Sequence, residues 1–228
     1  LTGHLLAQIL AQQAGIAEAA GLHMQRIQRI AVHPQVQQQG VGATILRHLC
    51  QHYGKHKQTD WLGASFAAEP HVVRFWLASG YQPVWAGQRL DTATALPSLQ
   101  VVLPISPAAQ CCTKLLQAHF FHYYAGLQQA WQSPLATAIL TLVRPTYAGI
   151  PNALVAKLLS QVGNAQGNVY AIRPYLYQHL LRIAKHSSKA QIWLAHSWQP
   201  SLSHKQFVAL TRELVVEWQQ QDKLDLSS

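Results

Sequence analysis

The stretch that most constrains this chain is Arg29-Ile-Ala-Val-His-Pro-Gln-Val-Gln-Gln-Gln-Gly-Val-Gly42. It reads as a buried strand (Ile30, Ala31, Val32), a sharp exit at Pro34, a polar loop, and two glycines opening a helix from Val41. Gly40 and Gly42 have no side chains, so their backbone N–H groups can approach an anion closely. The first turn of the following helix adds unpaired N–H groups and the positive end of its dipole. Such a loop is suited to a pyrophosphate. Two phosphate-loop classes are excluded by spacing: no Lys follows Gly42, as a Walker A loop needs, and Ile45 stands where a dinucleotide fingerprint has its third glycine.

A mixed α/β unit surrounds this stretch, and a different texture follows it. Residues 5–20 are rich in Ala, Leu and Gln and predict a helix, 26–32 a strand, and 41–53 a helix with Ile45, Leu46 and Leu49 as its apolar stripe. Residues 61–66 form a predicted strand. A helix over 70–79 has Pro70 at its first position and Glu69 as cap or first-turn acid. Strands follow over 81–85 and 99–105, joined by a loop over 87–98. From 108 the pattern is mainly helical: 108–131, dense in aromatics, then 135–143, 153–162 with Asn152 as N-cap, 175–186, and 203–221. Residues 191–198 read as a strand.

Charge divides the chain in the same place. The net charge is +9, and no Asp or Glu occurs between Asp91 and Glu213. That span carries Lys114, Arg144, Lys157, Arg173, Arg182, Lys185, Lys189, Lys205 and Arg212. A one-signed segment with helical patterning suits a polyanion such as nucleic acid; its alternative is plain solubility in a basic protein. The 49% hydrophobic fraction rules against disorder. No apolar run reaches the roughly 18 residues of a membrane span. Cys50, Cys111 and Cys112 lack metal-ligand spacing, and no His-x-x-x-His or Cys–His cluster occurs among 13 histidines, so no structural metal is expected. Adjacent cysteines make a poor disulfide framework, which points to a reducing, cytoplasmic setting. The chain opens Leu1-Thr-Gly-His, and reads as part of something longer.

Gln37-x-x-Gly40-x-Gly42 resembles the pyrophosphate loop of the GNAT acetyltransferases, whose signature is Arg/Gln-x-x-Gly-x-Gly/Ala. Residues 65–81 resemble the second acetyl-CoA element of the same enzymes, in which a strand splays from its neighbour and the pantetheine pairs with the exposed backbone as an added strand would. The usual Phe-Tyr-x-x-x-Gly-Phe is here Phe75-Trp76-x-x-x-Gly80-Tyr81. The Tyr that serves such enzymes as proton donor is thus Trp76, whose indole can donate a hydrogen bond but is no acid near neutral pH. Arg29-Ile-Ala-Val-His-Pro34 with Arg74-Phe75-Trp76 narrows the likeness. The chain resembles the tRNA(Met) cytidine acetyltransferase family, closely over 26–81 and by texture after Ile105.

That resemblance implies a GNAT-like mixed sheet flanked by helices, lacking its first strands, over residues 1–106, and a basic helical tRNA-binding tail over 107–228. It implies N4-acetylation of the wobble cytidine of elongator tRNA(Met), with acetyl-CoA as cofactor. ATP and Mg would belong to an upstream helicase-like module that this chain lacks. Acetyl-CoA would lie on Ile30, Ala31, Val32, Gln37, Gln38, Gln39, Gly40, Val41, Gly42 and Ala43, with Arg74 reaching cofactor phosphate or the adenine end. Family members carry an acid three residues before this Arg, where this chain has His71; its nearest acid is Glu69.

The N4 amine is conjugated with its ring and weakly nucleophilic, so positioning should matter more than a strong base. A proton acceptor is still required, and an oxyanion donor is sought in the backbone N–H groups around Val32. His33, which leaves the strand end nearest the expected thioester, is the best side-chain candidate for the acceptor; its alternative is a hydrogen bond within the Pro34 turn. His71 is another, or it merely begins a helix. Phe75 and Trp76 are expected in the core. In the tail, Tyr123, Tyr124, Tyr170, Tyr175, Tyr177 and Trp193 interleave with basic residues and are mostly expected inside, while Arg173, Arg182, Lys185 and Lys189 form the expected RNA-facing set. The competing function is a GNAT enzyme acting on a protein lysine or small amine, its tail an oligomerisation domain. No membrane partner is expected, and the oligomeric state is left open.

Overall fold

The computed structural model describes residues 10, 16–55, 58–90, 94–131, 133–143, 152–198 and 201–225. Two compact units form, Leu1–Phe121 with Ala138–Tyr147, and His122–Thr137 with Ala148–Ser228.

In the first unit, β1 (Met24–Arg26), α1 (Val41–Lys55), β2 (Trp61–Ala67), α2 (Pro70–Ala78), β3 (Gln82–Leu90) and β4 (Pro97–Pro104) follow one another. The sheet order is β1-β2-β4-β3, with β1 parallel to β2 and the other pairs antiparallel. The parallel β1–β2 pair needs a crossover, which α1 supplies. Pro83, which has no N–H for a ladder, sits on β3 beside a register shift and at the edge of the described sheet, where the missing donor costs least. Trp61, Leu62, Leu99, Val101 and Val102 are fully or almost fully buried along the central strands. The Trp61 indole N–H donates to Thr113 Oγ1 at 2.9 Å on α3 (Pro107–Trp131), so a large apolar ring is buried without orphaning its one donor.

Asp60 joins three elements. Its carboxylate accepts from the His23 N–H, 2.9 Å away, and from the Ser106 hydroxyl, while its carbonyl accepts from the Ile105 N–H at 2.8 Å. Ser106 Oγ in turn accepts from the Ala109 N–H at 3.1 Å in the first turn of α3. The start of β1, the start of β2 and the N-terminus of α3 are therefore tied at one residue.

The second unit is helical, built from the later part of α3, the start of α4 (Pro134–Leu142), α5 (Asn152–Gly163), α6 (Arg173–Ile183), α7 (Ser188–Trp198) and α8 (His204–Asp225). Tyr123, Tyr124, Tyr175, Tyr177 and Trp193 are buried, as the aromatic texture predicted. Trp193 donates to Thr211 Oγ1 at 2.9 Å, repeating the Trp–Thr arrangement of the first unit. Asn168 accepts from Tyr170 N–H at 3.0 Å and so opens the short turn before α6.

Several expectations are corrected. Residues 191–198 are helical within α7, because buried Ala190 and Trp193 and half-buried Leu194 recur at helical spacing (i, i+3, i+4). The strand of 26–32 pairs only as Met24–Arg26, and Ile30, Ala31 and Val32 are not buried: Ala31 is exposed, its neighbours half-buried. Ile45 is 40% exposed, so the α1 stripe reduces to Leu46 with half-buried Leu49. Asn152 is the first residue of α5 rather than its cap, α6 begins at Arg173 and ends at Ile183, and β3 extends to Leu90 into the expected loop. The helix of 5–20 lies largely outside the described residues; at its end, Ala17–Gly21 form a 3₁₀ turn.

Candidate functional site

The first unit opens a wedge between two strands. Pairing of β1 with β2 ends at Arg26↔Gly63, followed by a last bond from Ile27 N–H to the Gly63 carbonyl at 2.8 Å. Beyond it β2 keeps pairing with β4, from Ala64↔Val101 to Ala67↔Ser98, while residues 28–32 have no ladder partner among the described residues. One edge of β2 and the facing segment thus leave backbone groups available to an extended ligand.

The segment ends in a loop tied by its own side chains. His33 Nδ1 accepts from Gln35 N–H at 3.4 Å, which is the Pro34-turn alternative noted from sequence. Gln37 Nε2 donates to the Val32 carbonyl at 2.9 Å and Gln39 Nε2 to the Gln35 carbonyl at 3.1 Å. Gln38 and Gly40 hold φ of 60° and 80°, turning the chain into α1, where Thr44 N–H meets the Gly40 carbonyl at 2.9 Å. The N–H groups of Val41, Gly42 and Ala43 fall before the first such bond, so helix geometry leaves them without intrahelical partners. Gly42 sits at a close approach: a Cβ there would stand 3.1 Å from the Phe75 ring and 3.7 Å from Val32 Cγ2, so the ring would have to give by a few tenths of an ångström. These features fit a pyrophosphate at the loop and a pantetheine arm in the wedge.

Phe75 brings α2 to this place. Its neighbour Trp76 is 4% exposed, stacked on Phe66 with ring centroids 5.6 Å apart and edge-on to Tyr81 at 4.7 Å. Trp76 is a core residue, as expected. The Tyr81 hydroxyl is buried without a hydrogen-bond partner among the described residues, and burial, with Cys50 adding to it, pushes its pKa well above the usual tyrosine value. Neither ring offers an acid near neutral pH. His71 and Arg74 lie exposed on α2, about one turn or less from Phe75. His71 Nε2 stands 3.5 Å from Glu69 Oε2; Glu69 makes no side-chain cap bond, so its carboxylate serves the histidine instead. The role of Gln37 and the Glu69–His71 pair were missed from sequence, because both depend on which way a side chain turns.

In the second unit the expected basic set divides. Arg173 is drawn inward, its guanidinium 5.9 Å from the Phe207 ring centroid, and burial lowers its pKa. Lys189 is held between Glu213 and Glu217, whose hydrogen bonds raise its pKa. Arg182 and Lys185 stay exposed at the end of α6 and form no ion pair among the described residues. His186 is exposed beside them. Among the described residues, no group of three or more His, Cys, Asp or Glu could hold a metal, and no helix is long and apolar enough to cross a membrane.

Residues 1–59 match the family model described as GNAT acetyltransferase 2. A protein of Vibrio cholerae serotype O1 named tRNA(Met) cytidine acetyltransferase TmcA is 30% identical over 184 residues, covering 80% of this chain and 25% of that protein. Proteins of the same name from Nitrosococcus halophilus and Actinobacillus pleuropneumoniae serotype 5b are 36% and 28% identical, over 52% and 86% of this chain and 16% and 32% of their own lengths. The chain therefore spans a third or less of these relatives. With the wedge, the Gly40–Gly42 loop and the helical second unit on one polypeptide, it belongs to the tRNA(Met) cytidine acetyltransferase family.

Proposed function

We propose that this chain carries the acetyl-CoA site and the RNA-facing helices of an enzyme that acetylates N4 of the wobble cytidine in elongator tRNA(Met). The observation that carries the reading is the wedge beyond Gly63 leading into the loop of residues 37–43. Residues 1–106 would form the acetyltransferase part and 107–228 the tRNA-binding part. ATP with Mg would act in a module outside this chain, and the work would be done in the cytoplasm, where tRNA matures.

When bound, acetyl-CoA supplies an acetyl group activated as a thioester. The chain's contribution is placement. Residues 40–43 would hold the pyrophosphate, Arg74 would reach a cofactor phosphate, and residues 28–31 would lay the pantetheine along backbone groups that have no ladder partner among the described residues. A backbone N–H near Val32 would serve as the donor to the oxygen on which charge develops.

Of the two histidines, His71 is the better proton acceptor. Nδ1 of His33 already accepts from Gln35 N–H, so in the neutral ring its proton sits on Nε2 and no acceptor is left. The His71 ring stands 3.5 Å from Glu69 through Nε2, which leaves Nδ1 as the nitrogen that would take a proton from the N4 amine. Arg182 and Lys185 would neutralise tRNA phosphates, an interaction that weakens as salt rises. Arg173 and Lys189 leave the expected set, since one is drawn inward and the other is neutralised by two carboxylates.

The test is mass analysis of tRNA nucleosides from a strain lacking the gene. N4-acetylcytidine should disappear from elongator tRNA(Met) and return with the gene; an unchanged level sinks the reading.

A further inference from the structure

We propose that Gln37 is a positioning residue: by donating to the Val32 carbonyl it locks the loop in the shape that presents the N–H groups of residues 40–43 to a pyrophosphate. The inference rests on the acetyl-CoA reading above and concerns how that site is held ready. Gln37 is exposed, and an exposed amide is free to face water, yet its Nε2 reaches back to the strand end at 2.9 Å. The bond closes a ring from Val32 to Gln37 across the Pro34 turn, beyond the turn's own backbone bonds, Val36 N–H to the His33 carbonyl at 2.9 Å and Gln37 N–H to the Pro34 carbonyl at 3.3 Å.

The next residue explains the need. Gln38 sits at φ 60°, a left-handed conformation that disfavours any residue with a Cβ, so the chain must be held from both sides. Gln37 holds it on the strand side, and Gln39, donating to the Gln35 carbonyl, on the helix side. Val32 also packs at 3.7 Å from the place a Gly42 Cβ would occupy, so anchoring its carbonyl anchors the wall against which α1 starts.

The chemical requirement at 37 is a long side chain ending in an N–H donor. Arginine shares that property. Methionine has the length without the donor.

The experiment compares wild type with Gln37→Met and Gln37→Arg. Acetyl-CoA affinity is read by isothermal titration, and the cofactor-free loop by millisecond hydrogen exchange over residues 35–44. Gln37→Met should weaken acetyl-CoA by about tenfold, the scale of one lost hydrogen bond. It should also speed exchange in the free protein, with melting temperature unchanged because the side chain is exposed. Gln37→Arg should stay within about threefold of wild type and keep wild-type exchange.

Met binding as tightly as Gln overturns the proposal. So does weakened binding with unchanged exchange in the free protein, which would make Gln37 a direct cofactor contact instead. A wild-type chain that takes no acetyl-CoA sinks the functional reading alone, and the exchange comparison still decides whether Gln37 sets the loop.

Discussion

Gly40 and Gly42 stand two residues apart and are glycine for different reasons. Gly40 has φ 80° and open space around it, so its constraint is backbone conformation; a Cβ on Gly42 would stand 3.1 Å from the Phe75 ring, so its constraint is a close approach. Gly40→Ala should cost about 1 kcal/mol of unfolding free energy, the penalty for a Cβ in the left-handed region. Gly40→Asn should cost clearly less, because asparagine tolerates that region. Urea denaturation of the two variants checks the order, and an alanine variant as stable as wild type would show that the loop relaxes. The two histidines also differ residue by residue: His33 Nδ1 accepts from Gln35 N–H, whereas the His71 ring stands beside the Glu69 carboxylate.

At the scale of elements, one substitution should have opposite signs in two helices. Gly54 lies in the last turn of α1, and a Cβ added there would meet nothing within 4 Å, whereas a Cβ on Gly126 of α3 would stand 2.4 Å from Pro174 Cβ at the start of α6. Helix propensity alone favours alanine at either place by up to about 1 kcal/mol. Gly54→Ala should therefore stabilise slightly. Gly126→Ala should destabilise by about 1–3 kcal/mol, because the proline ring cannot swing away and the two helices must part. Thermal denaturation of both variants reads the signs, and a stabilised Gly126→Ala would mean that α3 and α6 pack less closely. β1 carries a parallel lesson: its side-chain pattern continues to Val32, but its pairing stops where β2 turns to β4 alone.

Over the molecule as a whole, charge and burial set a pH dependence. His122 stacks on Tyr175 with centroids 4.7 Å apart, and burial lowers its pKa from 6.5. His196 is lowered as well, by burial and then by Arg173. A histidine depressed in the folded state contributes no penalty above its unfolded pKa, where both states are neutral. Below it the unfolded chain takes the proton first, so stability falls from about pH 6.5 downward through the folded pKa. Melting temperature should decline as pH falls below about 6.5, and His122→Phe, which keeps the ring stack and removes the titration, should shrink that decline. A variant profile superimposable on wild type would assign the loss to other groups.

The shape of the candidate loop was legible in the chain itself. Two glycines after a polar loop and a β-to-helix change of period mark a turn into a helix whose first N–H groups are unpaired, and a segment without acids announces its charge whatever its shape. The helices of 108–131, 135–143 and 203–221 followed from apolar spacing, which is also local. What pairs with what was not local. The end of β1 at Arg26, the exposure of Ile45 and the helical state of 191–198 depend on which neighbours arrive from elsewhere in the chain. So do the capture of Lys189 by Glu213 and Glu217 and the inward turn of Arg173. A side chain's charge is a property of its residue, but its availability to a ligand is a property of the space around it. Only the tertiary structure shows that Arg182 and Lys185 keep theirs while Arg173 and Lys189 do not.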